Sequence, residues 1–288
     1  MDIWTRQERD MPQAKTFLIT GVSSGLGAAF ASAALAAGHR VIGTVRNLDA
    51  APSFAAQAPE RAHPLLLDVT DFDRVAVAVP EAERSAGPVD VLVNNAGYGH
   101  EGVLEESPLD ELRRQFDANV FGAVAMIKAV LPGMRERRAG HIVNVTSMGG
   151  FITMPGISYY CGSKFALEGI SEALAKEVAP FGVRVTALAP GQFRTDWAGR
   201  SMVRSARGIA DYDAVMDPIR AARQAKSGNQ PGDPAKAAAA LLTLVEAENP
   251  PVRLYLGDDA LKLVEDKIDA MKAELARWES LSRSTNFA

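Results

Sequence analysis

The sequence predicts a doubly wound α/β fold, a Rossmann-type three-layer sandwich with a parallel sheet between two layers of helices in a single domain. Three observations predict it. Apolar, β-branched segments of four to seven residues recur along the chain, helical patterns separate them, and a glycine-rich turn stands where the first strand gives way to the first helix. Strands that are apolar along their whole length have both faces buried, which a sheet covered on both sides requires.

The elements follow in order. Lys15 to Thr20 (KTFLIT) reads as a buried strand, and GVSSGLG opens an alanine-rich helix running to about Ala37. HRVIGTV is the next strand, and PLLLDV, VDVLVNNAG, GHIVNVTS and GVRVTALAPG supply four more. Asp110 to Arg137 is helical in pattern, but Pro132 and Gly133 should end or bend it near Leu131, because proline lacks an N–H and crowds the preceding turn. A second long helix is expected from Ser158 to Ala179. Gln192 to Pro234 carries Gly199, Gly208, Gly228 and Gly232 with only a broken helical pattern, and reads as a mobile lid at about 192–234. PAKAAAALLTLVEAE is a helix, PVRLYLGDDA a last strand and turn, and Asp259 to Glu279 an amphipathic helix before a frayed tail. The division is a polar leader at 1–14, the catalytic domain at 15–257, and a C-terminal helix and tail at 258–288.

Composition narrows the class. The 288 residues carry 31 Lys and Arg against 35 Asp and Glu, a formal charge of -4, and are 47% hydrophobic, which is far from the signature of disorder. A mildly acidic chain has no long-range attraction for phosphate backbones or anionic lipid, so neither nucleic acid nor membrane is expected as a partner. No uninterrupted apolar run approaches the eighteen or so residues of a membrane span, and MDIWTRQERD lacks the features of a signal peptide. A single cysteine, Cys161, permits no intramolecular disulfide and no zinc cluster, so no metal is expected and the cytoplasm suits the chain best.

The glycine turn, Thr20 to Gly27, contains Gly21, Ser23, Ser24, Gly25, Leu26 and Gly27. Gly21 suits the tight turn, Gly25 lets backbone approach a pyrophosphate, and Gly27 allows helix and strand to pack closely, with the anion held at the helix N-terminus. An NAD site would place Asp or Glu at the end of the second strand. Here that strand ends Gly43-Thr44-Val45-Arg46-Asn47, with no carboxylate before Asp49. Thr44 leaves room beside the ribose and Arg46 offers a planar donor fork to a 2′-phosphate, so NADP is favoured over NAD. Asp68 and Val69 are placed to meet the adenine, and Asn95, Ala96 and Gly97 to run along the cofactor at the carboxyl edge of the sheet.

Tyr160 and Lys164 lie four apart on one helix and so share a face. An ammonium beside a phenol lowers its pKa and readies it to exchange a proton with an alcohol or carbonyl oxygen. Ser147, at the end of GHIVNVTS, can donate to the same oxygen. Asn119 sits among apolar neighbours in a helix, where its side chain or a perturbed backbone could hold a water leading to Lys164. Tyr159 has Ser163 rather than a lysine four residues on, so it packs or lines the pocket; Cys161, His100 and His141 are given no role.

These residues resemble the classical short-chain dehydrogenase/reductase family over roughly Lys15 to Leu256. The match rests on TGVSSGLG, NNAG (Asn94 to Gly97), Asn119, Ser147, the Tyr160-Cys161-Gly162-Ser163-Lys164 run thirteen residues after Ser147, and Pro190-Gly191. The resemblance implies that Tyr160 is the general acid/base, Ser147 the carbonyl orienter, Lys164 the residue that also holds the nicotinamide ribose, and Asn119 the water relay. It implies that Pro190, Gly191 and Thr195 face the nicotinamide, that Thr44 and Arg46 mark the NADP-preferring branch, and that the protein forms homodimers or homotetramers through its two long helices.

The expected activity is a NADP-dependent oxidoreductase acting on a CH–OH or carbonyl carbon of a small apolar ketone, aldehyde or alcohol. A non-catalytic NADP-binding sensor and an NAD-dependent lyase or epimerase are the alternatives. The substrate pocket is expected from Tyr98 to Gly102, Met148 to Tyr159 and the lid, with Gly149, Gly150, Phe151, Ile152, Met154 and Ile157 making it apolar. Arg200, Arg204 and Arg207 in the lid read as solvated charges.

Overall fold

The computed structural model describes residues 14–199 and 201–287. Residues 1–13 of the expected leader, and Arg200 of the lid, lie outside them. In chain order the elements are β1 (Thr16–Ile19), α1 (Gly25–Ala36), β2 (Arg40–Val45), α2 (Ala51–Ala55), β3 (Ala62–Leu66), α3 (Phe72–Ala86), β4 (Val91–Asn94), β5 (Gly99–Glu101), α4 (Leu109–Phe116), α5 (Gly122–Arg137), β6 (Gly140–Val145), α6 (Ser158–Val178), β7 (Val183–Pro190), β8 (Met202–Arg204), α7 (Asp213–Lys226), α8 (Pro234–Glu246), β9 (Arg253–Leu256) and α9 (Asp258–Arg283).

Seven strands form one parallel sheet in the order β3-β2-β1-β4-β6-β7-β9. Helices cover both faces, with Phe30, Ala34, Leu241 and Val245 of α1 and α8 packed against one, and Val79, Met126, Val130 and Met134 of α3 and α5 against the other. This is the doubly wound Rossmann-type fold that the sequence predicts. Strand order reverses between β1 and β4, and a ligand crevice opens outside the carboxyl ends of the strands at such a switch point.

Two expectations are corrected. The long helix does not break at Pro132: α5 runs through it to Arg137. Pro132 and Lys128, whose carbonyl loses its partner, both lie on the exposed side of the helix, where an unpaired carbonyl costs little. The irregularity lies instead at Asp117–Phe121, a wide π turn joining α4 to α5. The combined run Leu109–Arg137 is long and apolar enough by length and average composition to cross a membrane, but Met126, Ile127, Val130 and Met134 are buried in the core. The second correction concerns 192–234, which holds a strand and a helix of its own. In it β8 pairs in parallel with β5, a two-stranded sheet with no counterpart in the sequence reading.

Candidate active site

A cavity of about 1090 Å³ opens along the carboxyl ends of the strands. Its wall brings together Gly21, Ser23, Ser24, Gly25, Leu26, Thr44, Arg46, Asp68, Val69, Asn95, Ala96, Gly97, Ser147, Tyr160, Lys164, Pro190, Gly191 and Thr195. Gly27 and Asn119 are the two expected site residues absent from it.

The glycine turn is built by backbone that side chains would obstruct. Gly21 and Gly25 have φ of 74° and 60°, left-handed values that favour glycine. A Cβ on Gly27 would stand 2.2 Å from the Gly21 carbonyl oxygen and 2.4 Å from Asn95 Nδ2. Gly27 therefore holds the helix against the turn from behind rather than facing the cavity. Asn95 Nδ2 donates to the Thr20 carbonyl at 2.9 Å, and the N–H groups of Asn95 and Ala96 both donate to Thr20 Oγ1 at 2.9 Å. These bonds fasten the end of β4 to the end of β1. Ser24 begins α1 without a side-chain cap, and no acid occupies the first turn. A helix start left open in this way presents N–H groups and positive dipole to an anion.

The end of β2 completes this half. Gly21 N–H donates to Thr44 Oγ1 at 2.9 Å. Arg46 is exposed on the cavity wall and makes no hydrogen bond or ion pair among the described residues. Asp68 Oδ1 accepts from the N–H and hydroxyl of Thr70, at 2.9 and 2.8 Å.

The reacting half lies beyond β4. Ser147 is buried, and its Oγ accepts from Gly149 N–H at 3.0 Å. The Tyr160 ring packs against Trp197 at 5.0 Å between centroids. Lys164 is buried, with Nζ 5.8 Å from the centre of the Tyr160 ring and 2.9 Å from the Val145 carbonyl, to which it donates. Burial pushes the Tyr160 phenol up to about 12, opposed by its hydrogen bond with Ser147. Burial also brings the Lys164 ammonium down to about 8, with Glu168 pulling the other way. The expectation that Lys164 depresses the phenol is thus not met: desolvation sets the direction, the Ser147 hydrogen bond is what opposes it, and the ammonium spends a bond on backbone.

Asn119, in the π turn, is also buried. Its Nδ2 donates to the Tyr98 carbonyl at 3.1 Å and Ser163 Oγ at 3.0 Å, while Oδ1 accepts from Tyr98 N–H at 3.0 Å. Both amide protons are committed, which removes the side chain as a water donor and leaves the backbone of the turn.

A model of the family described as short chain dehydrogenase matches residues 15–204. The chain belongs to the short-chain dehydrogenase/reductase family. It is 39% identical over 269 residues to oxidoreductase BOA17 of Botryotinia fuckeliana, covering 93% of this chain and 98% of that one. It is 38% identical over 246 residues to 3-ketodihydrosphingosine reductase of Bacteroides thetaiotaomicron, covering 85% and 88%. A crystal structure of a short-chain dehydrogenase from Streptomyces avermitilis superposes with a TM-score of 0.89 at 45% identity, covering 96% of this chain and 99% of that one. As a member of this family the protein is an oxidoreductase that uses a nicotinamide dinucleotide.

The substrate end of this family member differs from expectation. Tyr98, Met148, Met154 and Ile157 line the cavity, but Gly149, Gly150, Phe151 and Ile152 do not. Gly150 lies against α6, and Ile152 packs with Ala260 and Val264 of α9 beside Phe151 and Tyr255. Tyr159 packs away from the cavity, its hydroxyl donating to the Ser107 carbonyl at 2.7 Å and its ring stacked on His100 at 5.1 Å. Cys161 is buried, and burial raises its thiol. The cavity also takes in Trp197, Ile219, Ala222, Arg223 and Lys226, which the sequence reading missed. The last four repeat at helical spacing on one face of α7, a signal visible in the sequence but drowned by the surrounding charges.

The lid arginines are not simply solvated. Arg207 pairs with Asp213 and, at 2.7 Å, with Asp217. Glu101, buried on β5, meets Arg223 at 3.0 Å, Arg204 at 3.7 Å and Arg220 at 3.9 Å. One carboxylate thus ties β8 and α7 to the body of the fold.

Proposed function

We propose that the enzyme exchanges hydride between NADP(H) and a carbonyl or secondary-alcohol carbon of a small apolar ketone, aldehyde or alcohol, with Tyr160 exchanging the proton on the substrate oxygen. One observation carries this reading: a single cavity holds the open helix start, the free Arg46 guanidinium and the Ser147, Tyr160 and Lys164 set. The residues fit the dinucleotide. Left-handed Gly21 and Gly25 leave a cradle without side chains, and the uncapped start of α1 takes phosphate. Arg46, with no partner among the described residues and no acid at the end of β2, suits a 2′-phosphate, which supports NADP over NAD. When bound, the dinucleotide supplies or accepts the hydride.

The chain supplies the rest. Ser147 Oγ accepts from Gly149 N–H and lies beside the Tyr160 phenol, so its hydroxyl can donate to the same substrate oxygen that Tyr160 serves. Burial keeps the Tyr160 phenol protonated at neutral pH, as a donor to a carbonyl being reduced must be. Lys164, protonated at neutral pH, sets a positive charge beside that ring. We assign the water relay to the π-turn backbone at Asn119, where the chain leaves the α-helical ladder. Asp68, Val69, Asn95, Ala96 and Gly97 would flank the adenosine and ribose, and Pro190, Gly191 and Thr195 the nicotinamide; Gly27 supports the turn.

The reading extends to a homodimer or homotetramer through the outer faces of α4, α5 and α6, where Leu109, Phe121 and Phe165 are exposed, and to the reducing cytoplasm, which suits one free, buried thiol. Met154, Ile157 and Trp197 at the substrate end support an apolar substrate, as does a relative named for a 3-keto substrate. Following NADPH absorbance across a panel of ketones, aldehydes and quinones tests the reading. Oxidation of NADPH by apolar carbonyls is expected; tight NADPH binding without turnover across the panel would point to a sensor instead.

A further inference from the structure

Glu168 is a buried carboxylate that no step of the chemistry above uses. It follows Lys164 by four residues on α6, so the two share a face of the helix. Its oxygens are engaged on two sides. Oε1 accepts from the Thr146 hydroxyl at 2.6 Å, and Oε2 accepts from Arg253 Nε of β9 at 2.6 Å. Its stem fills the space behind the loop that follows Ser147, where a Cβ on Gly150 would stand 2.8 Å from Glu168 Cγ and 2.9 Å from the Lys164 carbonyl oxygen. Neither Glu168 nor Arg253 stands on the cavity wall. The carboxylate therefore meets the reacting set only from behind, through Thr146, which precedes Ser147, and along α6 from Lys164.

We propose that Glu168 is a positioning residue for the reaction, fixing Ser147 through Thr146 and setting a negative charge one helical turn from the Lys164 ammonium, a role that rests on the parts assigned above to Ser147, Tyr160 and Lys164. Arg253 makes the arrangement rigid. A carboxylate held at both oxygens cannot turn, so Thr146 Oγ1 is kept in one place and with it the end of β6. An ion pair that served only to join α6 to β9 would need neither Thr146 nor a place beside Lys164, and burial of such a pair adds little to stability by itself.

The charge has a use at Lys164. That ammonium faces the Tyr160 ring on its own helix, the Val145 carbonyl on β6, and the Gly97 backbone, where a Cβ would stand 3.9 Å from Nζ. None of these is ionised at neutral pH. Glu168 is the charge that opposes the loss of the Lys164 proton, which burial favours. Glu172, two turns on from Lys164, is exposed and pairs with Lys176 at 3.1 Å and Arg253 at 3.5 Å.

The test reads the Lys164 proton directly, by NMR of the full chain carrying lysine isotopically labelled at Cε, with Lys164→Met identifying the signal. The Lys164 midpoint, about 8 in the unmodified protein, should fall by about one unit in Glu168→Gln. It should stay in place in Thr146→Val, which cuts the tether and keeps the charge. Reduction of a carbonyl by NADPH should lose about tenfold in kcat in each variant, as a displaced reacting group costs, with KM for NADPH within a few-fold. In Glu168→Gln alone, the alkaline limb of kcat should move to lower pH by about the same unit. An unmoved midpoint in folded Glu168→Gln would overturn the proposal, as would an equal movement in Thr146→Val. If Glu168→Gln does not fold, Glu168→Asp keeps the charge and shortens its reach: kcat should fall about tenfold while the midpoint moves by less than about half a unit, and undiminished kcat would overturn the proposal. Absence of turnover in the unmodified chain would count against the proposed function instead, and the midpoints would still decide the role of Glu168.

Discussion

The Gly21 N–H donates to the Thr44 hydroxyl across 2.9 Å, so Thr44, next to last in β2, is spent on holding the glycine turn. This leaves Arg46, two residues on, as the charged group of that strand end with no partner among the described residues. Arg46→Ala should weaken NADP binding by about 10- to 100-fold, the worth of a charge-assisted hydrogen bond, and leave NAD nearly unchanged. Calorimetric titration with both dinucleotides checks it; equal losses for the two would remove the basis for an NADP preference.

Glu101 is the counter-charge for three arginines of the lid. Glu101→Gln keeps the shape and removes the charge, leaving the largely buried Arg223 without its ion pair while Arg220 keeps Asp217, at a cost of about 3 kcal/mol. The loss should be local first. Hydrogen exchange is expected to speed up through 202–226 before the sheet is affected, and uniform protection across that segment in the variant would show that the carboxylate is not what holds it.

His141 lies in the sheet, with Nε2 3.0 Å from Thr186 Oγ1. Burial, helped by Arg184, lowers its pKa to about 4. Between that value and the ordinary 6.5 the unfolded chain binds the proton and the folded one does not, so stability rises with pH through this window and is lost as acid is added. The contribution is about 3 kcal/mol. His141→Gln should flatten the pH dependence of the unfolding free energy between pH 4 and 6.5 by that amount, relative to the unmodified chain, in which His39 and His100 shift in the same direction. Parallel curves for the two proteins would contradict it.

The sheet was legible because burial on both faces leaves its mark on the strand residues, and the cofactor half of the cavity because its wall residues stand where strands end. Pro132 misled because a proline rule says nothing about which face of the helix is wet. Gly149 to Ile152 misled for a related reason: an apolar run after a strand can line a pocket or pack under one, and α9, distant in sequence, decides which. The β5–β8 pair depends on three-residue strands about a hundred positions apart, with no periodicity long enough to detect. The fate of Asn119's amide was invisible because it rests on Tyr98 and Ser163, which only folding brings beside it.

Tyr160→Phe tests the central claim most directly, since it removes one oxygen from a buried site and leaves the ring against Trp197. With any carbonyl substrate that the NADPH assay identifies, the turnover number should fall by roughly 10²- to 10⁴-fold, the range of a lost general acid. NADPH affinity should stay within a few-fold of the unmodified protein. Undiminished turnover in Tyr160→Phe would contradict the account.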